Sequence, residues 1–431
     1  MKKFNDVLVI GLALFAMFFG AGNLIFPPYI GLLSGDKWYL ALLGFLLTGI
    51  GLPLTGIIVM SKNDGDFEKF AGKVSSSFSK GLGIIIMLAI GPLLAIPRTG
   101  ATTFEMGVKP LFPNVSSVVA TTIFFAINLY FVINPSSVID KIGKILTPVL
   151  LAMLAIIIVK GIVSPIGQLA STGLQNPFSR AFSEGYQTMD ALASTVFAGI
   201  VISSVVAKGY TEKRDQIKLT VIAGMIAATG LLLVYGGLMY LGATATTIYS
   251  PEISKTELII GITERILGNF GKVALGLAVA FACLTTSVGL TATAGEFFSK
   301  ISNDRISYKA VVIIITVFSA IVSNFGVEKI VKIAVPLLVT VYPVVIVLIV
   351  LNIFDEYIKN KNVYAGAVYL TLIISIIDGL AAIGINIKVA QNFIAKLPFA
   401  SSGFAWIVPA ILGGLIALIF SRKENRVNGN N

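Results

Sequence analysis

Phe18-Phe19-Gly20-Ala21-Gly22-Asn23-Leu24-Ile25-Phe26-Pro27-Pro28 sits in the middle of an apolar run that extends from about residue 6 to residue 33. Such a run is long enough to cross a bilayer, which takes about 20 residues for a hydrocarbon core of roughly 30 Å. Two glycines and an asparagine at that depth weaken a helix, so the run is expected to split into two half-helices. Irregular backbone at membrane depth is tolerated only where protein buries it or where it lines a cavity. A half-helix beginning after Asn23 would aim its free N–H groups and the positive end of its dipole at the protein's centre, a ready site for a carboxylate. The same residues also read as a close-packing Gly-x-Gly face between helices. A nucleotide phosphate loop is disfavoured, because no Lys follows and no strand precedes.

The remainder of the 431-residue chain agrees with a membrane protein: 56% of it is apolar, 12% is charged, and the mean hydropathy is +0.92. Soluble domains carry about 25% charged residues, so this chain has half the charge needed to cover a water-facing surface. The same numbers exclude disorder. The single cysteine, Cys283, rules out an intramolecular disulfide, and the absence of His rules out His-ligated metals, His-based catalysis and His proton relays. Twelve apolar runs are expected to be spanning helices, at roughly 6–33, 38–60, 80–108, 117–134, 143–163, 179–206, 216–243, 269–298, 308–324, 330–352, 363–384 and 403–420. Barrel strands would alternate apolar and polar residues, whereas these runs are continuous. The first run is too long for the apolar core of a signal peptide and contains Asn23, Pro27 and Pro28, so it is expected to remain in the mature protein.

Lys and Arg in the loops set the orientation. With the N-terminus inside, the inner segments hold 20 such residues and the outer segments 11, with Arg98 alone inside a span. Both termini are therefore expected to be cytoplasmic. The net charge of +11 is largely this topology signal, favours contact with anionic inner-leaflet lipid, and gives no reason to invoke nucleic acid. The longest expected loops, near 61–79, 164–178 and 385–402, are too short to hold a soluble domain.

A second interruption lies in the sixth run, at Gly185-Tyr186-Gln187-Thr188-Met189-Asp190-Ala191. An ionised Asp190 about ten residues into a span costs roughly 2.5–3.5 kcal/mol, so it is normally paired or functional. An interhelical ion pair with Arg98 is the structural alternative. Runs one to five and six to ten have similar lengths, and each set opens with its interrupted helix. Because five spans is an odd number, the second set is inverted relative to the first, and interrupted helices in corresponding positions point to a transport site. The expected divisions are 1–163 (first repeat), 179–352 (second repeat) and 363–420 (two further helices). Arg98 and Glu105 lie seven apart on one face of the third run and either line a water-filled route or pair with other helices. In the eighth run Ala282, Thr285 and Thr286 share a face. Two hydroxyls and a carbonyl there suit an alkali cation, although paired Thr residues also commonly bond back to their own helix.

Residues 11–28, the stretch Gly44-Phe45-Leu46-Leu47-Thr48-Gly49-Ile50-Gly51-Leu52-Pro53-Leu54, the stretch Ile96-Pro97-Arg98-Thr99-Gly100-Ala101-Thr102 and the segment 185–193 together resemble the bacterial branched-chain amino acid:cation symporters, the BrnQ or LIVCS family. The likeness runs through the whole chain. It implies sodium-driven uptake of leucine, isoleucine and valine, and an all-α LeuT-like fold with two inverted five-helix repeats and broken helices one and six. It also implies a sodium site in which Ala282, Thr285 and Thr286 face carbonyls near Ala16 and Phe19, with Thr286 standing where the pattern has Ser. Asp190 departs from the LeuT pattern, which leaves the ion count and proton participation open.

On this reading the substrate carboxylate meets the N–H groups around Ala21, Gly22 and Asn23, and the ammonium meets carbonyls near Gly20 and Met189, close to Asp190. Phe197 and Leu290 are candidate walls for the branched side chain. Proton-coupled uptake of the same substrates is the alternative. A channel would need a continuous polar pore and an embedded enzyme a nucleophile–base or metal constellation, and the sequence offers neither. No obligatory protein partner is expected beyond the lipid bilayer.

Overall fold

The computed structural model describes residues 2–133, 146–358 and 360–428, and the side chains of residues 3–421 within those ranges. Lys141, Lys144 and Lys359, the side chains of Lys2, Arg422, Lys423 and Arg426, and residues 134 and 143–145 of two expected spans lie outside the described residues.

Among the described residues every regular element is helical. The first expected span is two pieces, α1 (Lys2–Phe18) and α2 (Ala21–Ser34). The second is α3 (Trp38–Leu46) and α4 (Leu52–Lys62), joined by a π turn over Leu47–Gly51. A short α5 (Phe67–Ala71) precedes the third, which comprises α6 (Ser76–Leu88) and α7 (Ala95–Thr102) with π turns at Ala89–Leu93 and Thr103–Val108. The first of these π turns holds Pro92, which has no N–H to donate and clashes with the carbonyl one turn back, so the helix opens there. Next come α8 (Ser117–Val132), α9 (Thr147–Val163), α10 (Pro177–Gly185), α11 (Asp190–Ala207) and α12 (Lys213–Ala243). The chain continues through α13 (Lys255–Ile301), α14 (Tyr308–Ser323), α15 (Val327–Ile353), α16 (Asn362–Ala382), α17 (Lys388–Ile394) and α18 (Ile407–Asn428).

Where they are described, each of the twelve expected spans contains helix. Among the described residues seven helical stretches are long and apolar enough to cross a bilayer, and Ser117–Val132, Thr147–Val163, Tyr308–Ser323 and Ile407–Ser421 are shorter apolar helices. The outward faces carry exposed Ile123, Ile127, Ile314, Ile321, Ile373 and Ile419, as lipid contact demands. One element departs from expectation. Residues 255–267 are helical and meet the eighth span at Gly268, whose φ of 59° breaks the 47-residue α13. Leu258, Ile259 and Ile262 are buried while charged residues share the segment, so its one-sided apolar character leaves no continuous run to read.

The interrupted helices pack reciprocally. Both α1 and α2 lie along α12, while α10 lies along α3 and α11 along α4. Backbones approach closely where glycine permits: a methyl group on Gly31 would collide with the Met239 carbonyl, and one on Gly242 with that of Pro28. Polar contacts tie one end of the bundle together, linking Lys3 to Asp215 (3.1 Å), Lys213 to Asp64 (2.8 Å), Lys62 to Glu356 (3.9 Å) and Asn360 to Ser421. Both ends of the described chain therefore lie on the same side. Lys213 and Lys69 hold the Asp64 carboxyl below its ordinary range, so this junction weakens as the pH falls through that lowered value.

At the α16–α18 crossing, Gly366 and Gly413 each leave no room for a side chain against the other's backbone. Gly366→Val or Gly413→Val is expected to cost about 1–3 kcal/mol by overpacking. Thermal unfolding of the purified protein in detergent, read by size-exclusion chromatography, measures it; an unchanged midpoint would show that the crossing adapts freely.

Candidate functional site

The first break lies at Phe19–Gly20. The Phe19 N–H donates to the Phe15 carbonyl (2.7 Å), Gly20 is extended (φ −114°, ψ −160°), and α2 resumes at Ala21. The half-helix thus begins ahead of Asn23, not after it. The cause is the Asn23 side chain, whose Oδ1 accepts the Gly20 N–H at 3.1 Å and secures the new helix from its own first turn. Gly20 also permits close approach to α13: a Cβ there would stand 2.9 Å from Thr286 Oγ1.

The second break follows α10. A 3₁₀ turn spans Tyr186–Thr188, Met189 adopts the left-handed conformation (φ 64°, ψ 10°), and Asp190 is the first residue of α11. A bulky side chain at positive φ is a strained choice. The Met189 N–H donates to the Tyr186 carbonyl (3.1 Å) and Thr188 Oγ1 to the Gly185 carbonyl (2.9 Å), which hold the turn.

The breaks meet through side chains. Asn23 Nδ2 donates to Asp190 Oδ2 at 2.7 Å and also to the Tyr235 hydroxyl, and that hydroxyl donates to Asp190 Oδ2 at 3.2 Å. Asp190 is 2% exposed and Arg98 3%, yet no ion pair within 4.0 Å joins them among the described residues. Arg98 Nη1 instead donates to the Gln187 carbonyl at 2.7 Å. This replaces the expected alternative of an Arg98–Asp190 pair, because the helix break exposes a carbonyl nearer to the guanidinium. Glu105 is elsewhere: its carboxylate accepts from Thr256 Oγ1 (3.1 Å) and from the Val327 N–H (2.9 Å), where it caps α15. Arg98 and Glu105 therefore share a helical run but not a site.

The cation candidates are also assembled. Thr285 Oγ1 donates to the carbonyls of Ala16 and Ala282, both at 3.0 Å, and Thr286 Oγ1 donates to Ala16 at 3.2 Å. The Phe19 carbonyl accepts from neither hydroxyl; its ring stacks on Phe15 at 5.3 Å. Four hard oxygens linked by these hydrogen bonds suit a monovalent alkali cation, and no carboxylate belongs to the set. Among the described residues no group of three or more His, Cys, Asp or Glu could hold a metal.

A small cavity, with about 20 Å³ open to the centre of a water molecule, occupies the junction of the breaks. Gly20, Ala21, Asn23, Met189, Asp190, Phe197 and Leu290 all line it, while Gly22 is not among the lining residues and packs against Arg98. Its wall also includes Arg98, Thr188 and Ala193, which were not among the expected binding residues. Tyr235 was missed as well. It stands in an apolar run without polar neighbours, so nothing in the sequence separates it from a packing tyrosine.

Residues 3–424 match the family described as branched-chain amino acid transport protein. The chain belongs to this family. Branched-chain amino acid permease BraB of Bacillus subtilis (strain 168) is 40% identical over 97% of this chain and 96% of its own length. Permease BrnQ of the same organism is 39% identical over 96% of each, and the branched-chain amino acid transport system 2 carrier protein of Pseudomonas aeruginosa is 37% identical over 97% and 96%. Among solved structures, a Na⁺-coupled sialic acid symporter in a substrate-bound outward-open state superposes with a TM-score of 0.63 at 15% identity, covering 96% of this chain and 90% of that one. MhsT in complex with L-phenylalanine gives 0.57 at 16%, covering 95% and 98%. Mhp1, a nucleobase-cation-symport-1 family transporter, gives 0.63 at 15%, covering 98% and 93%. At these identities the likeness concerns the fold alone, which is the LeuT fold. The protein is a membrane transporter and not an enzyme.

A Cβ on Gly22 would stand 2.9 Å from Arg98 Nη2 and 3.1 Å from the Gln187 carbonyl. Gly22→Leu is therefore expected to force this junction apart and abolish binding of an amino acid there, while membrane insertion persists. Binding of radiolabelled leucine to the purified variant decides it; unaltered affinity would make this stretch packing alone.

Proposed function

We propose that the protein imports leucine, isoleucine and valine across the bacterial cytoplasmic membrane, coupled to sodium, by alternating access. The observation that carries this reading is the unequal charge compensation of the four half-helix ends. A helix N-terminus favours an anion and a C-terminus a cation. Arg98 meets the carbonyl end that follows α10, and Asp190 occupies the first turn of α11. The first turn of α2 contains no acidic residue of its own, Asp190 meeting only the Asn23 side chain, and among the described residues the Ala16 carbonyl near the end of α1 accepts from the neutral Thr285 and Thr286 hydroxyls. Two ends are thus left for ligands: α2 for a substrate carboxylate at the N–H groups of Ala21, Gly22 and Asn23, and α1 for sodium among Ala16, Phe19, Ala282, Thr285 and Thr286. The ammonium meets carbonyls near Gly20 and Met189, with Asp190 beside them.

Phe197 and Leu290 contribute the apolar wall. Discrimination by such a wall is worth about 1–3 kcal/mol per methylene, so the three branched substrates are handled together. Residues 1–163 and 179–352 act as inverted repeats, with 363–420 as two added helices; the reciprocal packing of each broken helix on the second span of the other half supports this. A second opening, about 780 Å³, is lined by Thr195 on α11 and Thr293 on α13, and by Asp64 and Asp66 at the end of the bundle that holds the termini. With both termini cytoplasmic, it is the route of release. Sodium bound between α1 and α13 biases the outward-open state, and joint release inside completes the cycle.

Thr285→Val keeps the side chain's shape and removes a donor oxygen. Sodium stimulation of leucine uptake into proteoliposomes is expected to fall at least about tenfold, the loss of one charge-assisted contact. Normal sodium dependence in both Thr285→Val and Thr286→Val would exclude this cation site.

Asp190 favours a second reading, proton coupling with the same substrates, because its carboxylate is buried among neutral donors. Leucine uptake with sodium, lithium and proton gradients imposed separately distinguishes the two. Under either, Asp190→Asn preserves size and one acceptor but removes charge, and is expected to abolish concentrative uptake. Normal accumulation by the Asn variant would leave Asp190 a structural partner of Asn23 and Tyr235.

A further inference from the structure

Arg98 has no role in the scheme above beyond its contact with Gln187. Its guanidinium carries five N–H donors, and the side chain is 97% buried, since only 3% of its surface is exposed. One donor group, Nη1, is used on the Gln187 carbonyl. Nε has no acceptor among the described residues, and Nη2 lies against Gly22, the second residue of α2. The Phe26 ring, 5.9 Å from the guanidinium carbon, closes another side. A buried cation with one neutral acceptor is costly, and an anion able to accept two parallel hydrogen bonds is the group that compensates it best. Arg98 lines the same cavity as Gly20, Ala21 and Asn23, so its unused donors and the first turn of α2 converge on one volume.

Asp190 lines that cavity as well. Its bonds from Asn23 and Tyr235 both end on Oδ2, and no cation is paired with it within 4.0 Å among the described residues. One cavity therefore offers a cation with an unused donor and a carboxylate that do not bond each other. An α-amino acid zwitterion satisfies both, whereas a 2-oxo acid or an amine satisfies one.

We propose that Arg98 anchors the substrate α-carboxylate, so that its guanidinium and the N-terminus of α2 form a single anion site that selects zwitterions. The assignment rests on the proposed uptake of branched-chain amino acids. It goes beyond that reading by adding a side-chain anchor and by requiring the carboxylate.

The test is calorimetric titration of the purified full-length protein, as wild type, Arg98→Gln and Arg98→Lys, with leucine, leucine amide and 4-methyl-2-oxopentanoate. Wild type is expected to bind leucine far more tightly than the other two ligands. Arg98→Gln is expected to weaken leucine about thirtyfold, the loss of a bidentate charged contact, and to leave leucine amide within about twofold because that ligand has no carboxylate to lose. Arg98→Lys keeps the charge but not the fork and is expected to lose about tenfold for leucine alone; it serves equally if the Gln variant fails to fold. Unchanged leucine affinity in Arg98→Gln, or an equal loss for leucine and leucine amide in either variant, overturns the assignment, the second outcome making Arg98 a staple of the break at Gln187. Wild type that binds none of leucine, isoleucine or valine overturns the proposed function, and the anchor with it. Leucine binding retained by wild type and Arg98→Gln alike removes only the anchor.

Discussion

Inside a hydrocarbon layer a peptide group has no water to turn to, and each one left unpaired costs several kcal/mol. Two helix breaks at the centre of this chain expose such groups at four ends, and the surrounding structure is arranged to answer them. Asn23 reaches back to the Gly20 N–H, Thr188 to the Gly185 carbonyl, Arg98 to the Gln187 carbonyl, and two threonines to the Ala16 carbonyl. These partners come from α2, the 3₁₀ turn, α7 and α13, so the breaks persist only because several separate helices are present together. A single half of the chain could not satisfy them.

That dependence explains the packing. The interrupted helices must lie against their neighbours closely enough for side chains to reach exposed backbone, and glycine supplies the approach at Gly20 against Thr286, Gly22 against Arg98 and Gly31 against α12. Strain is accepted where geometry requires it. Met189 takes a conformation normally left to glycine, and it is this reversal that sets Asp190 at the head of α11, facing Asn23. The polar cluster and the strained residue are thus one construction: relaxing Met189 into a helix would carry Asp190 away from its partners.

Much of this was legible in the sequence because it breaks local rules. Gly-x-Gly-Asn in an apolar run and an aspartate within a span are anomalies whose cost demands an explanation, and both fall at the observed breaks. The site's less conspicuous members left no such mark. Tyr235 is an ordinary residue in an ordinary span, and only the fold brings its hydroxyl to Asp190. The start of α2 lies earlier than the sequence suggests for a related reason: asparagine reads as a breaking residue, whereas its side chain stabilises the new helix from within. Residues 255–267 are less legible because their apolar face is one-sided, and one-sided burial leaves no continuous hydrophobic run.

The cation candidate differs in kind from the amino acid candidate. Around Asp190 the donors already saturate one carboxylate oxygen, so a ligand there adds to a completed network. At Ala16 the two hydroxyls spend their protons on carbonyl oxygens that a cation would also need. A sodium ion entering this set must turn both hydroxyl hydrogens outward and replace three neutral hydrogen bonds with ion–dipole contacts. Two of the bonds it displaces, those to the Ala16 carbonyl, join α1 to α13. On the proposed reading, the same oxygens therefore join these helices in two ways, through hydrogen bonds without the ion and through the ion when it is bound. The two arrangements have different preferred spacings. A site built this way transmits ion binding to the position of α1 without any longer chain of contacts, which is the property a coupled transporter requires of its ion site.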